Sequence, residues 1–407
     1  MKILLLAPHP FFQQRGTPIA EKMLLEVLTA EGHEVDVLTF PEGEDPGIVR
    51  CRVHRISAPA WTRGIRPGFS ARKLACDAIM LRDVLRRVRG GDYDLIHAVE
   101  ESAFMALAAR WIFRIPYVYD MDSGLAQQMV DRFPALAWVR RLLDACEGMA
   151  VRGSVGTLAV CGSLESRARA CDPGGLVAAV EDVSLLGTSA DDGTDDICPP
   201  EWKDRRIVLY VGNLEPYQGI DLLLAAFVRT VQEVPEAKLV VVGGDDASVG
   251  HYRRESERLG IADDVHFAGP RPLAELGACL RRAAVLVSPR TRGHNTPMKV
   301  YSYLDSGRPL LATRLPTHTQ VLDDEVALLV DPEPEAMARG LVRLLRDEVL
   351  RERLAANARR LAEREFTLEA FRRKLLGFYG DVARRIGHDG NHPGQTAGYE
   401  ARRPGPG

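Results

Sequence analysis

The stretch VLVSPRTRGHNTPMKVYSYLDSGRPLLAT, residues 285 to 313, decides the fold. It opens on a short apolar run, passes through a loop rich in arginine, enters a helical pattern and closes on a second apolar run. A strand over 284–288, a helix and a strand over 309–313 make the unit from which parallel sheets are built. Thr296 is predicted to cap the helix, Pro297 to be its first residue and Gly307 its stop. Such a start presents unpaired N–H groups and the positive end of the helix dipole to the space in front, and Gly293 lets an anion come close to the backbone. Arg290, Arg292, Lys299 and Arg308 crowd the same neighbourhood. The stretch reads either as a phosphate or diphosphate site or as an ordinary βα turn with solvated arginines.

Working outward, the same alternation recurs on both sides. Strands are predicted over 2–7, 34–40, 95–98, 117–120, 156–160 and 177–183, and again over 206–211, 238–242, 265–268 and 327–330, with helical patterns between them. The fold class is α/β, with two doubly wound, mainly parallel sheets. At 407 residues the chain exceeds the size at which one core stops growing, so two domains are expected. Residues 1–186 form the first. The acidic, Pro-containing stretch GTSADDGTDDICPPEW starts the linker, 187–204. Residues 205–366 form the second, ending in helices over 334–346 and 349–365. A last helix within 367–386 is predicted to pack back on the first domain, and the Gly/Pro-rich 387–407 is read as a disordered tail.

Ligands bind open α/β sheets at the carboxyl ends of the strands, so two facing sheets create an interdomain cleft. In the first half the residues just after strands run from His9 to Thr17, His97 to Glu101 and Asp120 to Gly124. In the second they are Gly212 to Gly219, Gly243 to Asp246, Gly269 to Arg271, and the 290–296 loop.

A net charge of −3 with 46% hydrophobic residues carries no bias toward nucleic acid, and none is expected as a partner. The seven cysteines are scattered and never fall at metal-ligand spacing, which reads as reduced thiols in a cytoplasmic protein. The N-terminal MKILLLAPHPFF is too short in its apolar run for a signal peptide and reads as a buried strand, and no segment approaches a membrane span. The 61–89 segment mixes Arg63, Arg66, Arg72, Lys73, Arg82 and Arg86 with Phe69, Leu74, Ile79 and Leu85. It is either a solvated face over a core stripe or a basic amphipathic surface suited to peripheral contact with the inner face of a membrane.

The second half resembles the donor domain of glycosyltransferase family 4, retaining nucleotide-sugar enzymes of the GT-B fold. The resemblance rests on LYVGNLEPYQGIDLLLAAF (209–227), LVVVGGDD (239–246), VHFAGPRP (265–272), VLVSPR (285–290) and NTPMKVYSYLDSGRPLLAT (295–313), in the family's order and spacing. MKILLLAPHPFFQQRGTPIAE and DLIHAVEESAF resemble its acceptor domain more loosely. The resemblance implies two facing Rossmann-like domains, a nucleoside-diphosphate sugar as donor, no metal or other cofactor, and transfer with retention to a hydroxyl on a glycan, lipid-linked or small-molecule acceptor.

This chain departs from the family at four positions. The arginine and lysine that usually clamp the diphosphate align with Asn213 and Gln218, and the two glutamates spaced eight apart align with His294 and Ser302. Because the leaving phosphate gathers negative charge, cations and amides must face it. Arg290, Arg292 and Lys299 are expected to replace the lost clamp, with Asn295, Thr296 and the backbone at Gly212 and Gly243 beside them. Ser302 either reaches a ribose or fills a tight helix contact. His294 either donates to the sugar or phosphate or is an exposed loop residue. Glu215 either holds a sugar hydroxyl or caps the helix near Gly219, and by resemblance the main chain around Gly269 and Arg271 reads the base. Gly16 and Thr17, the latter as an N-cap, open a helix that closes on the diphosphate from the opposite side. His97, Asp120, Glu100, Glu101 and Asp122 line the acceptor wall, where by resemblance they orient or deprotonate the acceptor hydroxyl; Asp122 is alternatively an N-cap. The expected function is glycosyl transfer. The rivals are a GT-B sugar-nucleotide epimerase or phosphorylase, and a catalytically silent sugar-nucleotide binder.

Overall fold

The computed structural model describes residues 1–13, 16–65, 70–186 and 197–387. Arg66 and Phe69, the first ten residues of the predicted linker and the tail from 388 onward lie outside the described residues.

The first unit runs β1 (Lys2–Ala7), α1 (Gly16–Ala30), β2 (Glu34–Thr39), β3 (Cys51–Arg55), α2 (Ala71–Gly90), β4 (Leu95–Val99), α3 (Ser102–Phe113), β5 (Tyr117–Met121), α4 (Leu125–Arg132), α5 (Arg140–Gly153), β6 (Gly156–Ala159), α6 (Gly162–Cys171) and β7 (Val177–Ala179). Its seven strands are parallel in the order β3-β2-β1-β4-β5-β6-β7. The second unit runs β8 (Arg206–Val211), α7 (Ile220–Glu233), β9 (Ala237–Val242), α8 (Asp246–Arg258), β10 (Val265–Gly269), α9 (Leu276–Arg281), β11 (Val285–Ser288), α10 (Lys299–Asp305), β12 (Leu310–Thr313), α11 (Pro316–Thr319), β13 (Leu328–Val330), α12 (Pro334–Arg346) and α13 (Glu348–Glu365). Its six strands follow β10-β9-β8-β11-β12-β13, again parallel. The fold is α/β of the expected kind, and in each sheet the chain reverses its direction of travel once, between β1 and β4 and between β8 and β11.

Alternate side chains of a strand face opposite sides of its sheet, which explains why helices cover both. In β1, Leu4 and Leu6 pack with Met80 and Val84 of α2, whereas Ile3 and Leu5 pack with Leu25 and Leu28 of α1. In β8, Val208 and Tyr210 face α7 and α12, and Ile207 and Leu209 face α10.

The last helix, α14 (Leu368–Arg385), leaves the second unit and returns to the first. Its Phe371, Leu375, Phe378, Tyr379 and Val382 join Ile3, Leu5 and Val118 in one buried cluster. Lys374 pairs with Glu181 at 2.7 Å, and Arg372 pairs with Glu31. Among the described residues no helix is long and apolar enough to cross a membrane.

Two expectations need correction. The strand over 177–183 stops at Ala179. The edge strand β3 has no counterpart among the predicted strands, because its CRVHR sequence is half charged and only partly covered.

Candidate active site

A cavity of about 980 Å³ lies where the second sheet reverses, between the loops after β8, β9 and β11 on one side and Gly16, Ile19 and Leu185 on the other. Of the predicted donor residues it is lined by Gly16, Gly212, Asn213, Glu215, Gln218, Gly243, Arg271, Arg290, Lys299 and Ser302. Reversal of strand order opens a crevice between diverging loops, which is why sheets of this kind bind ligands there.

Two cations converge on one amide in its wall. Lys299 Nζ donates to Gln218 Oε1 at 3.1 Å and sits 3.8 Å from the centroid of the Tyr210 ring. Arg290 Nε donates to the same oxygen at 3.5 Å, and its guanidinium lies over Tyr217 at 5.3 Å. No carboxylate pairs with either cation among the described residues. Burial, followed by the charge of Arg290, holds the Lys299 ammonium well below its usual range. Burial likewise lowers Arg290. Aromatic faces and an amide oxygen offset only part of the cost of taking two like charges out of water, so the pair is primed for an anion. The missing lysine at position 218 is thus matched by one on α10, whose ammonium lies a single hydrogen bond away.

Backbone geometry serves the same approach. Gly212 has φ +149° and Gly243 φ +112°, and a Cβ on Gly243 would stand 2.1 Å from the Gly212 carbonyl oxygen. The two loops close against each other only without side chains, which leaves main chain at the cavity wall.

Some expected contacts are corrected, and residues that carried two readings take their places in the structure. Thr296 does not cap α10: it is 6% exposed, one turn ahead, and the helix is entered through a tight turn in which Val300 N–H donates to the Pro297 carbonyl at 2.9 Å. Thr17 lies inside α1 rather than before it. Arg292 is exposed and does not line the cavity, and Arg308 donates to the Arg281 carbonyl at 2.5 Å. Ser302 Oγ accepts from Leu185 N–H at 3.0 Å, so its hydroxyl holds the segment entering the linker. Glu215 makes no side-chain cap, and Asp122 is not an N-cap, since Gly124 precedes α4 and Leu125 N–H donates to Glu147 Oε1 at 2.8 Å. His294 is exposed, with its carbonyl accepting from Gln320 Nε2 at 2.7 Å. Arg271 lines the cavity 3.8 Å from Glu275.

Asn295 reaches the opposite wall. Its Nδ2 donates to the Asp122 carbonyl, while its own carbonyl accepts from Arg290 Nη1 at 3.1 Å and Thr317 Oγ1 at 2.5 Å. The loop that carries the cation is therefore tied to the end of β5 in the first unit.

That first-unit wall is acidic. Glu100, at φ +48°, and Glu101 follow β4; Asp120 is the penultimate residue of β5 and Asp122 follows that strand. Ser123 donates to Glu100 at 3.0 Å, and Lys73 pairs with Glu101. Burial, then Glu101, raises the Glu100 carboxyl, and burial, then Asp120, raises Asp122 well above its ordinary value. His97 is not part of this wall. It is fully buried, with Nδ1 2.7 Å from Tyr379 Oη and Nε2 2.9 Å from Asp120 Oδ2, and it stacks on the Tyr379 ring. Its place on a strand interior facing α14 makes it a support for Asp120, which borders a chamber of only about 30 Å³ with Asp122 and Asp182. Among the described residues no group of three or more His, Cys, Asp or Glu could hold a metal.

Sequence reasoning missed Tyr210, Tyr252, Tyr303 and Leu185 in the cavity wall, and it marked Tyr217 only as part of the 212–219 loop. Tyr303 Oη accepts from Val211 N–H at 2.8 Å, fixing the start of the glycine loop. A tyrosine in an apolar stripe carries no signal that separates core from cavity, although Tyr210, immediately before the Val-Gly turn, is where such a signal lay.

Two family models match the chain, glycosyl transferases group 1 over residues 197–361 and glycosyl transferase 4-like domain over residues 20–175. Phosphatidyl-myo-inositol mannosyltransferase of Mycobacterium tuberculosis is 26% identical over 393 residues, covering 94% of this chain and 97% of that protein. Sucrose-phosphate synthase of Thermosynechococcus elongatus superposes with a TM-score of 0.75 at 22% identity, over 94% and 98% of the two chains. Anabaena HepE in complex with UDP-glucose gives 0.70 at 17%, over 93% and 99%. With matched sequence in both units, parallel sheets that each reverse once and a cavity between them, the chain belongs to glycosyltransferase family 4 and has its GT-B fold.

Proposed function

We propose that this glycosyltransferase moves a sugar from a nucleoside-diphosphate donor in the 980 Å³ cavity to a hydroxyl acceptor at the facing acidic wall, with retention. The observation that carries the reading is the convergence of Arg290 and Lys299 on Gln218 with no carboxylate among the described residues to neutralise them. A diphosphate supplies that charge. As the bond to the sugar breaks, negative charge gathers on the leaving phosphate, and two preplaced cations together with the main chain near Gly212 and Gly243 stabilise it more than they stabilise the intact donor. Gly16, at the start of α1, closes the far side with backbone amides.

Glu100, Asp120 and Asp122 supply the acceptor side. Burial and the neighbouring carboxylates raise the Glu100 and Asp122 carboxyls, so both hold a proton more readily than a free acid, which suits them to orient a hydroxyl and take up its proton. No metal or organic cofactor has a part in this reading. The similarity to a phosphatidyl-myo-inositol mannosyltransferase supports a hexosyl donor and a lipid-linked acceptor. In this reading the protein is cytoplasmic and in peripheral contact with a membrane.

Calorimetry with UDP and GDP, followed by mass spectrometry of donor consumption over an acceptor panel, tests the proposal. Nucleotide binding with acceptor-dependent donor loss is the expected result. Binding without turnover makes the chain a silent sugar-nucleotide binder, and conversion of donor without acceptor makes it an epimerase.

A further inference from the structure

Beside the acidic wall lies a second cavity, of about 340 Å³, framed by α2, α3 and α4. Leu74, Leu81, Phe104, Met105, Leu125 and Met129 make most of its surface. Its volume sits at the lower end of small-molecule pockets. The mouth is apolar as well, since Leu74 is 61% exposed and Phe104 38%.

Two polar groups interrupt this lining, Asp77 and Glu101. Glu101 connects the pocket to the first sheet's reversal point, because Lys73, which pairs with it, also donates to the Pro8 carbonyl at 2.9 Å just beyond β1. Asp77 is the anomaly. Its Oδ1 is buried and meets no hydrogen-bond donor, and burial lifts its carboxyl to about 7. A buried oxygen without a donor is destabilising, a cost removed by a ligand that brings a hydroxyl.

The shape of the apolar surface points to a chain rather than a compact ring. Trp111, 69% exposed, lies two helical turns beyond Phe104 on α3, so the two share a face, and Ile112 beside it is 59% exposed. A pocket open onto an exposed apolar stripe accepts an extended hydrocarbon that runs out along that stripe.

We infer that this pocket is a subsite for the alkyl chain of an amphiphilic acceptor, with Asp77 receiving a hydrogen bond from a hydroxyl near the chain's polar end. The inference deepens the transferase reading, on which it rests for the word acceptor. The polar head then lies toward Glu101 and the ends of β1 and β4, and the chain runs out between Leu74 and Phe104.

The probe is octyl β-glucoside below its micelle concentration, with methyl β-glucoside as the chain-less control, titrated into the intact protein. Octyl glucoside is expected to bind at least tenfold more tightly than the control. Ala78→Phe, at an exposed pocket position, fills the space and should remove that preference while leaving UDP affinity and the melting temperature unchanged. Phe104→Ser, which opens the wall instead, should weaken octyl glucoside several-fold, and Asp77→Asn should weaken both glucosides by the same factor. Equal affinity for the two glucosides, or octyl binding unmoved by Ala78→Phe, overturns the proposal. Failure of UDP to bind removes the donor reading and leaves the glucoside comparison to decide the pocket.

Discussion

The two sheets reverse at equivalent points and carry opposite charge there. Beyond β8 and β11 stand Arg290 and Lys299, paired to no carboxylate among the described residues; at the ends of β4 and β5 and just after them stand Glu100, Glu101, Asp120 and Asp122, where Lys73 pairs with Glu101. The same topology thus gathers cations in one half and carboxylates in the other. The backbone supplies the crevice, and the side chains after the strands decide what enters it.

The comparison breaks most visibly if the cationic side is emptied. Lys299→Ala should weaken UDP or GDP binding by about 2–3 kcal/mol, the range for charge-assisted contacts to phosphate. Arg290→Ala should cost as much and also lower stability, because its guanidinium holds the Asn295 and Thr317 positions. The wild-type pH dependence has a definite sign. Lys299 starts from a lowered pKa, an anion raises it, and binding therefore takes up a proton wherever the free ammonium is partly neutral. Affinity should fall as pH rises, with a slope that Lys299→Met abolishes.

The acidic side gives the next effect, on stability rather than binding. Asp182, 9% exposed, is pushed up to about 7 by burial and then by Asp120. The native state then binds more protons than the unfolded chain between about pH 4 and pH 7, so this carboxyl's contribution is most favourable below pH 4 and is lost as pH rises through 7. Asp182→Asn should stabilise the protein at pH 8 by about 2 kcal/mol and have little effect at pH 4, read from denaturant midpoints at the two pH values.

A subtler test concerns where the clamp's charge originates. Gln218 occupies the family's lysine position and Lys299 stands 3.1 Å from its oxygen, so exchanging the two residues moves the charge a short way along one hydrogen bond. Gln218→Lys combined with Lys299→Gln should recover about 1 kcal/mol of the nucleotide affinity that Lys299→Gln alone removes. No recovery would mean that the amide, rather than the place of the charge, is what the site requires.

How much of this was legible depended on whether a residue's role is local. The strands over 2–7 and 206–211 and the helix over 334–346 were read to the residue, and the last helix lies within the predicted 367–386, because buried parallel strands are unbroken apolar runs and amphipathic helices carry their own period. Lys299 and Arg290 were legible from crowding of cations around one loop. His97 was misread, because position after a predicted strand says nothing of which face its ring takes; α14, 282 residues away, supplies Tyr379 and makes it a core residue. The Thr296 cap failed for a related reason, since that residue answers to a packing surface outside its own turn, and of the two readings of Ser302 the close contact is the one its bond to Leu185 displays.

The smallest expected effect concerns the bond that joins the two charged regions. Asn295 Nδ2 donates to the Asp122 carbonyl across the crevice, and the Asn295 carbonyl holds Arg290, so one residue sets the separation of the anion site from the acidic wall. Asn295→Ala removes the crossing contact and leaves the carbonyl in place. An exchangeable hydrogen bond of this kind is worth about 1 kcal/mol. Global stability should therefore change little, and nucleotide affinity, which depends on the second unit, should fall less than threefold. The rate of transfer should suffer more than binding, since only transfer needs both walls at a fixed spacing. If Asn295→Ala weakens UDP as severely as Lys299→Ala does, the crossing bond is part of the anion site itself and the two regions are not separable.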